Sequence, residues 1–303
     1  MKIPSILRLA CGFLFGSLLL GQSLVISMDD GPNLDPTPKL SAAERNQRLL
    51  DAFKAKGVRV VLFVNGIRGG DSPEGVRWMT AWGEAGHRIG NHTYDHPSLK
   101  DVSVEDYLAD VRRLDLLIKP IPGYWRRFRF PFLVEGKDPA EWRRVQDGLH
   151  ALGYQDAPVS ISTYDWEYNA RLQDLLRANP DADTGPIRAA YLQHLHECLS
   201  GFRDLARELL GRDPVQVILL HHNLINAMFM PDILDLIERD GWRIVAPEEG
   251  YQDPLYREDR AEVGYAESIL EAVALKRGVL LDRFDELKTR LWGAPQPAEG
   301  YYP

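Results

Sequence analysis

Two adjacent carboxylates, Asp29 and Asp30, close the apolar run Leu24-Val25-Ile26-Ser27-Met28 and are followed at once by Gly31-Pro32. An apolar run that stops at a Gly-Pro dipeptide reads as a strand ending in a turn. Side chains alternate along a strand, but at its fraying end both carboxylates can reach one cavity mouth. Paired acids there suit a metal ligand beside a general base, although Asp-Asp-Gly by itself is most often solvated turn chemistry. A second cluster, Gly90-Asn91-His92-Thr93-Tyr94-Asp95-His96-Pro97, follows His87-Arg88-Ile89, a stretch short enough to be a strand. Histidines four apart can face one metal from a helical turn or a compact loop, and the flanking Gly90 and Pro97 favour the loop. His221 and Asp165 stand at the ends of two further apolar runs, and Tyr124-Trp125-Arg126-Arg127-Phe128-Arg129-Phe130-Pro131-Phe132 mixes bases and aromatics before a proline. His194 and His196 have no carboxylate at ligand spacing and read as packing or surface residues. His222, next to His221 on a strand, faces the other way and reads as structural.

Positioning these groups requires strands that alternate with helices. Three-to-four spacing of apolar residues predicts helices over residues 41–56, 73–85, from 103 onward, 141–152 and 228–239. Apolar runs predict strands over 24–28, 58–64, 87–89, 157–163, 215–220 and 242–245, and the segment 124–132 reads as a short strand running into a loop. A long helical stretch, about 169–212, interrupts the alternation before the strand that ends at His221. Beyond 250 the periodicity weakens into a helical tail with a Pro-rich end. In a parallel β/α barrel the carboxyl ends of all strands open on one face, so Asp29, Asp30, His92, His96, Asp165 and His221 should converge there.

The chain has 303 residues, 45% hydrophobic and 26% charged, enough for a sizeable core in one large α/β domain. A net charge of -8 with no long basic run argues against nucleic acid as a partner. Lys2 and Arg8, an uncharged stretch of twelve residues from 9 to 20, and then Gly21 and Ser23 describe a secretory signal over residues 1–23, with an uncleaved anchor as the alternative. The mature chain would carry no stable membrane span and would be exported. Of two cysteines, only Cys198 lies beyond that segment, so no intramolecular disulfide framework is available.

With these motifs in order, the sequence resembles the polysaccharide deacetylases of carbohydrate esterase family four, the chitooligosaccharide deacetylase homology domain, over about residues 24–250. The resemblance implies a distorted (β/α) barrel of about seven parallel strands, with the helical stretch as an insertion before the last catalytic strand. It gives Asp29 the place of the catalytic base, and Asp30, His92 and His96 those of metal ligands. Arg129 takes the place of the arginine that pairs with the base, and Phe132 that of the residue whose N–H faces the oxyanion. Asp165 stands where the family has the aspartate that tunes the catalytic histidine, Trp166 where a tryptophan lines the sugar groove, and His221 where the general acid lies. Met28 and Phe132 depart from the usual Phe and Tyr without removing chemistry. The implied cofactor is a divalent ion, zinc first, with cobalt or manganese as alternatives. The implied activity is deacetylation of a glycan, N-acetyl before O-acetyl, by water activated at the metal. A carbohydrate-binding protein that keeps the metal without turnover is the alternative. The sequence leaves the particular glycan and the oligomeric state open.

Overall fold

The computed structural model describes residues 22–263 and 266–293. In chain order its elements are β1 (Ser23–Gly31), α1 (Ala42–Lys56), β2 (Val61–Val64), α2 (Pro73–Glu84), β3 (Arg88–Asn91), α3 (Val104–Ile118), β4 (Tyr124–Phe128), α4 (Pro139–Ala151) and β5 (Gln155–Asp156). There follow α5 (Asp165–Ala178), α6 (Gly185–Leu210), β6 (Gln216–His221), α7 (Leu224–Arg239), β7 (Arg243–Ile244), α8 (Pro247–Gly250), α9 (Ile269–Arg277) and α10 (Leu281–Trp292). The expected signal segment lies almost wholly outside the described residues, as does the Pro-rich end. Among the described residues no helix is long and apolar enough to cross a membrane.

The helices begin and end where local chemistry dictates. Ser41 and Glu44 form a reciprocal capping box on α1, and Gly57 closes it in the left-handed conformation. Ser103 caps α3 by accepting from the Asp106 N–H. α7 starts at Leu224 rather than at the expected 228, because the Asn223 side chain accepts from the Asn226 N–H and opens the helix earlier.

All strand pairs are parallel, in the order β5-β4-β3-β2-β1-β6, and β7 also pairs with β1. Leu24 is in register with Gln216 of β6 and Ile244 of β7, so β7 lies along the edge of β1 that β2 occupies further on. Leu24 to Ile26 of β1 and all four residues of β2 are fully buried, as expected of strands covered on both faces. This is the expected distorted parallel barrel.

Closure differs from the expected strand over 157–163. Regular pairing is confined to β5, with one isolated bridge between Ile161 and Ile218. Pro158 has no N–H to donate, and the Ser160 hydroxyl accepts from the Val217 N–H at 2.8 Å, where a ladder carbonyl would otherwise serve. Even so, this one run touches both edges of the open barrel. Ala157 N–H donates to Phe128 O at 2.7 Å, and Ile161 N–H donates to Val217 O at 3.0 Å.

α9 and α10 are packed rather than trailing. Ile269 N–H donates to Val159 O at 2.7 Å, and Ile269, Leu270, Phe284 and Leu287 belong to the main buried cluster with the barrel strands.

Candidate active site and metal centre

Strict alternation would point Asp29 and Asp30 to opposite faces. The register between β1 and β2 slips between Met28 and Gly31, and Asp30 takes a left-handed backbone (φ 64°). This bulge re-aims Asp30 so that both carboxylates share one mouth. A Cβ on Gly31 would come within 2.4 Å of the Leu62 side chain, so the turn that follows needs glycine for room.

The loop after β3 brings the histidines to the same place. Asn91 is fully buried; its amide donates to Val111 O and its Oδ1 accepts from the Thr93 N–H. Asp110 on α3 accepts from the N–H groups of Tyr94 and Asp95, and positive φ at Thr93 and His96 folds the loop back. The His92 and His96 Nε2 atoms stand 3.2 Å apart and lie 3.8 and 3.5 Å from Asp30 Oδ1. Asp95 turns away to Arg113 at 2.9 Å.

One ligand atom each from Asp30, His92 and His96 falls within 4.8 Å of the others. A carboxylate and two imidazoles at this spacing fit a divalent ion with open coordination positions. His92 Nδ1 lies 2.8 Å from Arg129 O, which makes Nδ1 the donor and leaves Nε2, facing His96 and Asp30, able to ligate. Burial pushes both histidines down to about 4, so both are neutral and ligand-competent near pH 7. For Asp30, burial acts upward, but attraction to the protonated forms that His96 and His92 take at low pH, and to His221 and Arg68, outweighs it and holds the carboxyl well below its usual range.

Asp29 sits beside this triad in a buried ion pair. Arg129 Nη1 donates to its two oxygens at 3.1 and 3.0 Å, with 1% of the arginine side chain and 3% of the aspartate exposed. Burial raises the Asp29 pKa more than Arg129 lowers it. The arginine therefore opposes the burial without cancelling it.

Across the mouth, His221 Nδ1 lies 2.6 Å from Asp165 Oδ1. Asp165, wholly buried, also accepts from the His221 N–H and from the amides of Asn223 and Asn226. Burial pushes the His221 imidazole down, but the Asp165 carboxylate outweighs it and lifts the pKa to about 9. Phe132 has φ 57° in the short turn Pro131–Leu133, and its ring meets His96 edge-on at 4.6 Å. Trp166 opens α5 and lies 5.7 Å from the Tyr164 ring.

Asp29, Asp30, His92, His96, Arg129, Phe132, Asp165 and His221 come together around this mouth, and Trp166 follows Asp165 on α5. His222 is buried against Asn46 at 3.0 Å, His194 bonds Thr163 O at 2.7 Å, and exposed His196 pairs with Asp240. Sequence reasoning missed Asn65, whose amide donates to Asp30 Oδ1 at 2.7 Å, and Arg68, 3.9 Å from Asp30 Oδ2. Asn65 follows β2 directly, and a polar residue at a strand tip was the available signal. Asn226 was missed too; nothing in its helical surroundings marks it.

A sequence profile described as polysaccharide deacetylase matches residues 20–155. A chitin deacetylase of Colletotrichum lindemuthianum is 32% identical over 186 residues, 57% of this chain and 67% of that protein. The chain spans less than half the length of several other curated relatives, peptidoglycan-N-acetylglucosamine deacetylases among them. The fold is similar to that of a solved chitin deacetylase from the same fungus, with a TM-score of 0.52, 22% identity, and coverage of 76% of this chain and 88% of that one. It is similar also to a family pseudoenzyme from Bacillus anthracis, with a TM-score of 0.53, 15% identity, and coverage of 76% and 65%. By its motifs, its fold and its likeness to the Colletotrichum protein, the chain belongs to the polysaccharide deacetylase family of hydrolases.

Proposed function

We propose that this protein hydrolyses acetyl groups, N-acetyl in first place and O-acetyl in second, from a polysaccharide or oligosaccharide outside the cytoplasm. The observation that carries the reading is the flanking of the Asp30-His92-His96 triad by two buried proton-handling pairs, Asp29 with Arg129 and His221 with Asp165. A divalent ion held by the triad, zinc before cobalt or manganese, supplies Lewis-acid activation of a water and of the acetyl carbonyl. Asp29 accepts the proton of the attacking water, a task suited to a carboxylate whose proton affinity burial raises. The oxyanion that forms is assigned to the Phe132 N–H, a donor of the kind worth about 3 kcal/mol in other acyl-transfer sites. His221 gives a proton to the departing amine or alkoxide as the carbonyl carbon releases it, and Asp165 holds the imidazole in the donor orientation. Trp166 is assigned to a wall of the sugar groove. The catalytic unit is assigned to about 24–250, with 169–212 as its insertion.

The second reading is a carbohydrate-binding protein that keeps the metal without turnover, and the pseudoenzyme among its fold neighbours gives it standing. A binding module needs neither a base, nor a base-paired arginine, nor an acid with its aspartate, and the two bonded pairs, Asp29 with Arg129 and His221 with Asp165, support turnover. Acetate release should be assayed over chitin oligomers, peptidoglycan, acetylated xylan and exopolysaccharide with Zn²⁺, Co²⁺ or Mn²⁺ added. Asp29→Asn should lower kcat by about 10³-fold, within the range of general-base catalysis, with its metal content unchanged. Removal of the metal by a chelator should abolish release, and His96→Ala should lose the ion. Glycan binding without acetate from any of the four polymers would favour the second reading.

A further inference from the structure

Arg129 is completely enclosed, and a buried guanidinium must place five N–H donors. The described structure accounts for each. Nε donates to Ala157 O at 2.6 Å, Nη1 donates twice to Asp29, and Nη2 donates to Ser27 Oγ at 3.3 Å and to the Tyr251 hydroxyl at 3.1 Å. Four of these acceptors come from β1 and the run after β5, elements that carry or border the site. The fifth comes from Tyr251, which follows α8 and lies 122 positions along the chain from Arg129. Tyr251 is itself 2% exposed, and its hydroxyl points to Ala157 O at 3.4 Å, the carbonyl that accepts Arg129 Nε. Arginine, tyrosine and that carbonyl thus close a ring of hydrogen bonds around one edge of the guanidinium. Its ring is walled by Trp125 at 5.8 Å and Tyr256 at 5.1 Å, so the hydroxyl has little freedom to leave.

We propose that Tyr251 is a positioning residue for the reaction, holding the Arg129 guanidinium in the one orientation that presents Nη1 to both oxygens of Asp29. The proposal rests on the reading of Asp29 as the base. Without the hydroxyl, one buried N–H of Arg129 loses its partner, and the guanidinium can recover a bond only by rotating away from Asp29. A tyrosine needed for packing alone would be served equally by phenylalanine.

The test is Tyr251→Phe in the full chain, with the Zn²⁺-loaded protein acting on an N-acetylglucosamine oligomer. We expect kcat to fall about tenfold, the cost of one unsatisfied buried donor, while KM stays within about twofold. In an Asp29→Asn background the same substitution should change the residual rate by less than about twofold, because the oriented group then has nothing to orient. A second readout needs no turnover. The Arg129 guanidinium N–H resonances, assigned by their loss in Arg129→Lys, should exchange with water at least about tenfold faster in Tyr251→Phe. Full kcat in Tyr251→Phe beside an impaired Asp29→Asn, or unchanged N–H exchange, overturns the proposal and leaves the reading of the base standing. An Asp29→Asn protein as active as wild type overturns the functional reading instead.

Discussion

Between Asp165 and the open mouth, the His221 imidazole has a pKa lifted to about 9, because an uncharged ring beside that fixed carboxylate would waste the attraction. An acid works while protonated, so its contribution is present below that pKa and is lost as pH rises through it. The alkaline limb of kcat should therefore lie near the raised value, drawn down by whatever cation the neighbouring triad holds. Asp165→Asn removes the attraction, so the limb should move toward the ordinary histidine range, with lower rates at every pH. A pH profile of acetate release from both proteins checks this, and coincident limbs would remove Asp165 from the acid's control. Two different causes set the two groups proposed to handle protons: burial raises the Asp29 carboxyl, whereas the His221 imidazole is lowered by burial and lifted past its usual value by Asp165.

At the scale of elements, the site is a set of strained strand tips. Among the described residues seven non-glycine positions have positive φ, and six of them, Asp30, Thr93, His96, Phe132, Leu133 and Tyr164, lie in the loops at the mouth. Such conformations cost on the order of 1 kcal/mol each and persist only where the surroundings fix them. The bulge at Asp30 is the most exposed to failure, since its exit depends on Gly31. Gly31→Ala should lower stability by about 1–3 kcal/mol through overpacking against Leu62, and should reduce metal retention as well, since Asp30 is carried on the same turn. Urea unfolding of the apo protein and metal content of the native protein separate the two effects. Residues 29 and 30 stood out at an apolar run closed by a turn dipeptide, 92 and 96 by their spacing between Gly90 and Pro97, and 165 and 221 at the ends of strand-like runs; all of these are local signals, and the parallel fold brings the strand ends together. The broken closing strand was not legible, because Pro158 and the Ser160 hydroxyl act on a neighbour that only the fold supplies. Nor was Tyr251, whose partner Arg129 lies just past β4, with no local pattern to connect the two.

The molecule as a whole is held by a core that runs from β1 out to α10. Phe284 is 2% exposed and belongs to the same cluster as the barrel strands, so the end of the chain contributes to global stability. Phe284→Ala should cost about 3–5 kcal/mol, read as a shift of the urea midpoint with an unchanged slope. The tail also reaches the loops of the mouth. Arg260 pairs with Glu135, three residues past Phe132, and with Asp156 of β5, and Trp292 stacks on Tyr164 at 4.1 Å. The run that closes the barrel, from Ala157 to Asp165, begins at the carbonyl that accepts from Arg129 and ends at the carboxylate that holds His221. On the proposed mechanism it is therefore a spacer of fixed length between the place where a proton is taken up and the place where one is delivered. Loops elsewhere can lengthen and reshape the groove for another glycan, whereas a residue gained or lost in this run would leave each pair intact and put the two out of step.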